Sequence, residues 1–109
     1  RYHPLMSILT VRQLTAQIKD AVENGFPYVW VRGEVTNVSR PSSGHIYFSL
    51  KDESGTLSCI MFAGSRKGLA FRMKDGDKVV AGGRVDVYER DGRYQFMPGR
   101  LPWKGQVPL

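Results

Sequence analysis

Tyr28-Val29-Trp30-Val31-Arg32-Gly33-Glu34-Val35 is the stretch at which the chain changes its period. Val29, Val31 and Val35 alternate with Tyr28, Trp30, Arg32 and Glu34, so one face is aliphatic and the other aromatic and charged, the pattern of a half-buried β-strand. Upstream the spacing is helical. Val11, Leu14, Ile18 and Val22 recur behind Thr10 and Gln13, a T-x-x-Q capping box, and Gly25 stops the run. The spacing predicts a helix over 10–24 with Gln17, Lys19, Asp20 and Glu23 on its solvated face. Its single apolar stripe is expected to pack on the barrel as a lid or plug.

Downstream of Val35 the period stays at two. Pro41-Ser42-Ser43-Gly44 is a turn cluster, after which Ile46, Phe48 and Leu50 alternate with His45, Tyr47, Ser49 and Lys51 as a second strand. Asp52 to Gly55 connects tightly into a third strand, Thr56 to Phe62, apolar on both sides and expected to be covered on both. Ala63 to Lys74 sets Arg66, Lys67, Arg72 and Lys74 around Leu69, Ala70 and Phe71, which suits a short helix or irregular crossover. Asp75-Gly76-Asp77 turns into a long fourth strand, Lys78 to Glu89, whose Gly82-Gly83 pair allows a bend or bulge. The Asp91-Gly92 hairpin signal precedes a fifth strand, Arg93 to Met97. Five strands with a crossover between the third and fourth match an all-β fold with one N-terminal helix: the five-stranded Greek-key OB-fold barrel. The expected organisation is an extension over 1–9, the OB-fold domain over 10–97, and an atypical tail over 98–109.

Composition narrows the function. One cysteine, Cys59, admits no internal disulfide, and no Cys/His cluster has zinc spacing, so a reducing compartment follows. No run nears the roughly 18 apolar residues of a membrane span, and Arg1-Tyr2-His3-Pro4 is not the start of a signal peptide. A cytoplasmic location is expected, and the missing initiator methionine points to a fragment of a longer chain. Sixteen Lys and Arg against ten Asp and Glu give a net charge of +6, which concentrates polyanions or simply keeps the domain soluble. His45 has no paired nucleophile or carboxylate, Cys59 reads as core, and the acidic pairs Asp52/Glu53 and Asp75/Asp77 read as turns. No catalytic residue, metal site or cofactor is therefore expected.

Binding a single strand needs planar side chains for bases and cations along the phosphates, shown on one face. Trp30 and Arg32 on strand one, with Tyr47 and Lys51 on strand two, fit that requirement; covering a sheet or packing beneath the helix is the plainer role for the two aromatics. The loop from Asn37 to His45 offers Arg40, Ser43, Gly44 and His45 at one wall of an OB groove. The hairpin Tyr88 to Gln95 offers Tyr88, Arg90, Arg93 and Tyr94 at the other, and Arg84 shares the parity of Tyr88.

Two motifs go beyond a generic barrel. Val29 to Asn37, containing G-E-x-x-N, and Ser43 to Asp52, reading S-G-H-x-Y-F-x-L-K-D, resemble the N-terminal domain of the large subunit of bacterial exodeoxyribonuclease VII. Cys59 to Phe62, Tyr88-Glu89 with Gly92, Tyr94 and Gln95, and the opening Leu9-Thr10-Val11 extend the resemblance over about Leu9 to Phe96. It implies a parent enzyme that cuts single-stranded DNA from its ends, built from this large subunit and several small helical subunits. The OB domain would hold the DNA, with hydrolysis in a later domain beyond this chain. Trp30, Arg32, Ser43, Gly44, His45, Tyr47, Lys51, Tyr88 and Tyr94 match positions of that pattern and carry over as DNA-binding candidates. Phe96-Met97-Pro98-Gly99-Arg100 departs from it. Pro98 is expected to end the fifth strand early and leave an edge open to strand exchange between two copies. The alternatives are an OB domain that docks other subunits through its apolar and aromatic faces, and an RNA-binding OB module.

Overall fold

The computed structural model describes residues 6–105. Thr10 caps the helix α1, Val11–Gly25: its hydroxyl accepts from the Gln13 amide at 3.1 Å, and the Gln13 side chain accepts from the Thr10 amide at 2.9 Å. Five strands follow: β1 (Val29–Ser39), β2 (Ile46–Lys51), β3 (Thr56–Met61), β4 (Lys78–Tyr88) and β5 (Arg93–Lys104). They close a barrel in the order β1-β2-β3-β5-β4, which is the OB-fold. All pairings are antiparallel except β3 with β5, which are parallel and joined at Cys59 and Phe96.

β1 serves both halves of the barrel. Val29 to Glu34 pair with β4, and Glu34 to Ser39 pair with β2. Asn37 sits at a positive φ of 56° where the register shifts, and the bend is held by the Asp75 carboxylate accepting from the Val38 amide at 3.0 Å. The strand therefore consumes Asn37 to Ser39, which the sequence pattern assigns to the following loop. In β3 only Cys59, Ile60 and Met61 are buried; Thr56 and Ser58 face solvent, so the expected cover on both sides holds for its second half alone.

The fifth strand departs most from expectation. Pro98 does not end it. β5 gains extra residues opposite β4 between Val80, Gly82 and Gly83, and Pro98 falls opposite Gly83 at such a shift, where a missing amide interrupts no regular ladder. A side chain at Gly83 would run into the Met97–Pro98 backbone, so its absence is what lets the two strands meet. Beyond the bulge Leu101 is fully buried, Trp103 pairs with Val80 and Lys104 with Val79. Residues 98–104 belong to the barrel rather than to a tail, and the free edge expected at the fifth strand is not there. Residues 1–5 and 106–109, parts of the expected extension and tail, lie outside the described residues.

The core gathers Val35, Ile46, Met61, Val79, Phe96 and Leu101. Ala63–Gly68 forms a 3-10 helix, and the irregular chain after it sends Met73 fully into that core. This crossover, bridged to β5 through Leu69 and Leu101, plugs one end of the barrel. The other end holds an open cavity of about 690 Å³ among Val29, Val31, Leu50, Leu57 and Val85, with Val22 and Phe26 at its rim. α1 does not plug it. No α1 residue is buried, and the helix is held against β4 by its polar flank, where Lys19 bonds Asp86 at 2.5 Å and the Val87 carbonyl at 3.3 Å. At about 100° per residue that flank lies roughly a third of a turn from the stripe of Leu14 and Ile18, which consequently faces solvent.

Candidate nucleic-acid interface

A groove of about 260 Å³ runs across β2 and β3 beneath the β4–β5 hairpin. Alternation of β2 puts Phe48 inward and turns Tyr47 and Ser49 toward the groove, and β3 adds Ser58. The hairpin supplies Tyr88, Arg93 and Tyr94. Gly92 lies at φ 66° and donates to the Tyr88 carbonyl at 2.8 Å, a turn that sets Tyr88 opposite Arg93. The Arg93 guanidinium then lies 5.7 Å from the Tyr88 ring centre and 3.3 Å from Asp91. Three tyrosines, exposed at 41% (Tyr47), 42% (Tyr88) and 62% (Tyr94), thus surround hydroxyls and a guanidinium without being consumed by the core. Asn37, Ser49, Ser58 and Gln95 line the same groove. Sequence reading missed them; for Ser49 and Ser58 the available signal is their outward parity between buried neighbours.

The β1–β2 loop is more structural than its composition implies. The Gly44 amide donates to Pro41 at 3.1 Å, Gly44 takes φ 89°, and Ser43 accepts weakly from the His45 amide at 3.4 Å. His45 Nδ1 accepts from the Ala63 amide at 3.0 Å and its ring meets Phe62 edge to face, so His45 starts the crossover. Arg40 donates to the Met73 carbonyl. Burial and the charges of Arg72 and Arg66 both disfavour its ionised form and pull its pKa down. The loop and crossover therefore concentrate three guanidiniums, two of which the loop sequence does not contain.

Other candidates lie elsewhere. Trp30 pairs with Gly82, whereas Tyr47 pairs with Ser39, nine residues further along β1, or roughly 30 Å at about 3.3 Å per residue. The two aromatics do not share one stacking face. Arg32 and Lys51 meet at the rim of the open barrel end, with Lys51 3.7 Å from Glu34. Arg84 is exposed opposite Met97, and Arg90 is exposed at the hairpin tip. Cys59 is buried, as its mid-strand place indicates, and desolvation pushes its thiol up to about 12. Among the described residues no three His, Cys, Asp or Glu side chains converge on a metal position, and no helix is long and apolar enough to cross a membrane.

Residues 9–101 match a sequence family described as an OB-fold nucleic acid binding domain. Curated relatives named exodeoxyribonuclease 7 large subunit are 46% identical over 102 residues in Geobacter metallireducens and 47% identical over 95 residues in Moorella thermoacetica. These alignments cover 94% and 85% of this chain but only 22% and 24% of the relatives, so the chain spans about a quarter of their length or less. Asparaginyl-tRNA synthetase from Pyrococcus horikoshii is similar in fold, with a TM-score of 0.58 at 16% identity over 76% of this chain and 20% of the synthetase.

Proposed function

The chain belongs to the OB-fold nucleic acid binding domain family, and from that premise we propose that it is the single-stranded DNA-holding domain of an exodeoxyribonuclease VII large subunit. The observation that carries this reading is the groove that joins Tyr47, Tyr88, Tyr94 and Arg93 with the open hydroxyls of β2 and β3. Bases stack on the tyrosines, which accept any base because every base has a π face. Phosphates meet Arg93 and Arg90 on one side and the Arg40, Arg66 and Arg72 cluster on the other. Such a site grips without reading sequence. In this proposal hydrolysis is carried out by another part of the large subunit, assembled with its small subunits, and the domain alone cuts nothing and needs no cofactor.

Docking of another subunit has its own supporting observation: Val11, Leu14 and Ile18 leave an apolar helix face in solvent. The two readings occupy different surfaces and are compatible.

The test is fluorescence anisotropy of a labelled oligo-dT of about 15 nucleotides, within the span of one OB-fold. It is run at two salt concentrations and competed with duplex DNA and with RNA of the same sequence. Salt-sensitive binding that duplex does not displace supports the assignment. Preferential displacement by RNA converts it to an RNA-binding module, and no binding by folded protein refutes it.

A further inference from the structure

Both tryptophans of the chain lie together, away from the groove, on the face formed by β1, β4 and β5. Residues directly opposite on paired strands share a face. One row there reads Trp30, Gly82, Arg100 and the next Arg32, Val80, Trp103. Gly82 has no side chain, and any Cβ there would stand 2.7–2.8 Å from the Trp30 ring, so the indole lies flat on the strand. Trp103 is 6.1 Å from Trp30 between ring centres, Tyr28 meets Trp30 edge-on at 5.8 Å, and the Arg100 guanidinium stands 5.7 Å from the Trp30 ring.

One side of this aromatic cluster covers the strands beneath it, Gly82 and Val80, and the other stays open to solvent. Trp30 is 48% exposed and Trp103 44%. The charges around them are mostly basic. Arg32 and Arg100 share their rows. In the next row Lys78 stands opposite Glu34, whose carboxylate also faces Lys51 at 3.7 Å. Exposed, anchored indoles beside guanidiniums whose own planes can stack are the chemistry of a base-stacking platform with phosphate neutralisation.

We propose that the Trp30–Trp103–Arg100 surface is a second stacking platform for single-stranded DNA, distinct from the tyrosine groove, so that a bound strand is held on two sides of the barrel. The proposal rests on the DNA-holding function given above. It predicts that long strands bind more tightly than those filling the groove alone.

The test uses the whole chain and reads one oligo-dT titration in two ways. Anisotropy of the labelled strand reports all binding, while tryptophan emission reports this platform, because the groove contains only tyrosines. The expected result is quenching of emission with the same midpoint as the anisotropy rise. Trp103→Ala and Gly82→Ala, the latter displacing the Trp30 ring, are each expected to weaken binding roughly 5- to 150-fold, whereas Trp103→Phe retains most of it. The emission measurement on the unaltered chain does not depend on any variant folding. Binding by anisotropy with unchanged emission, and with Trp103→Ala binding like the parent, overturns the platform and leaves the DNA-holding function intact. No binding by either readout overturns both.

Discussion

Lys19 on the helix and Asp86 on β4, 67 residues apart in sequence, are joined nitrogen to oxygen at 2.5 Å, and this pair ties α1 to the barrel. The Asp86 bond, then the one to Glu23, raises the Lys19 pKa. Burial works against the Asp86 carboxylate, but the Lys19 and Val87 hydrogen bonds outweigh it and hold its pKa below the ordinary value. Both side chains remain about a quarter exposed, 27% for Lys19 and 26% for Asp86, so the pair contributes about 1 kcal/mol. Lys19→Met should free the helix while the barrel stays folded, seen as faster proteolysis before residue 28 with a small change in Tm. Docking should be level across neutral pH. A depressed acid contributes above its unfolded pKa and loses that contribution as pH falls through its folded pKa, so the helix should release below about pH 4.

Gly83 faces the backbone of Met97 and Pro98 with no room for a methyl group. Gly83→Ala should push β4 from β5 at the bulge and destabilise the domain by about 1 to 3 kcal/mol, measured by urea unfolding. Gly64→Ala, where a Cβ meets nothing within 4 Å, is the matched control and should leave the midpoint nearly unchanged.

The Cys59 thiol, pushed up to about 12 by desolvation, is both buried and protonated at neutral pH. It should resist alkylation in the native state and react at the rate of a free thiol once urea unfolds the chain. Rapid native-state modification would show that the β3–β5 region opens readily.

Burial first, then the charges of Arg72 and Arg66, disfavours the ionised form of Arg40, and a phosphate chain would offset the charges. Arg72→Ala should therefore raise Tm slightly at low salt yet weaken oligo-dT binding. The slope of log affinity against log salt should become shallower by about 0.7 if Arg72 neutralises one phosphate. Equal loss of stability and affinity would mark Arg72 as structural instead.

Much of the barrel was legible in local chemistry. The Thr10–Gln13 box starts α1 at Val11, the valine alternation defines β1, and the Gly82-Gly83 pair marks a bulge. What local reading loses is the partner. Pro98 reads as a strand end because nothing nearby reveals that it falls opposite Gly83 across a register shift. Trp30 and Tyr47 read as one platform because alternation gives the face of a strand but not where a long strand changes neighbours. The helix stripe reads as a docking face, whereas one long-range ion pair from Lys19 selects a different flank. In the groove the tyrosines were visible as aromatics in loops and outward positions, but their convergence depends on a barrel closure that joins residues 59 and 96.

That closure is also the weakest seam of the molecule. β2 and β3 share six successive residue pairs, β1 and β4 another six, while β3 and β5 share only Cys59 with Phe96. Amide hydrogens along the seam should exchange with solvent sooner than those in the β1–β4 ladder. Because Tyr47 and Ser58 approach it from one side and Tyr94 and Gln95 from the other, a strand lying in the groove would staple the seam shut. Protection from exchange there would then measure occupancy directly.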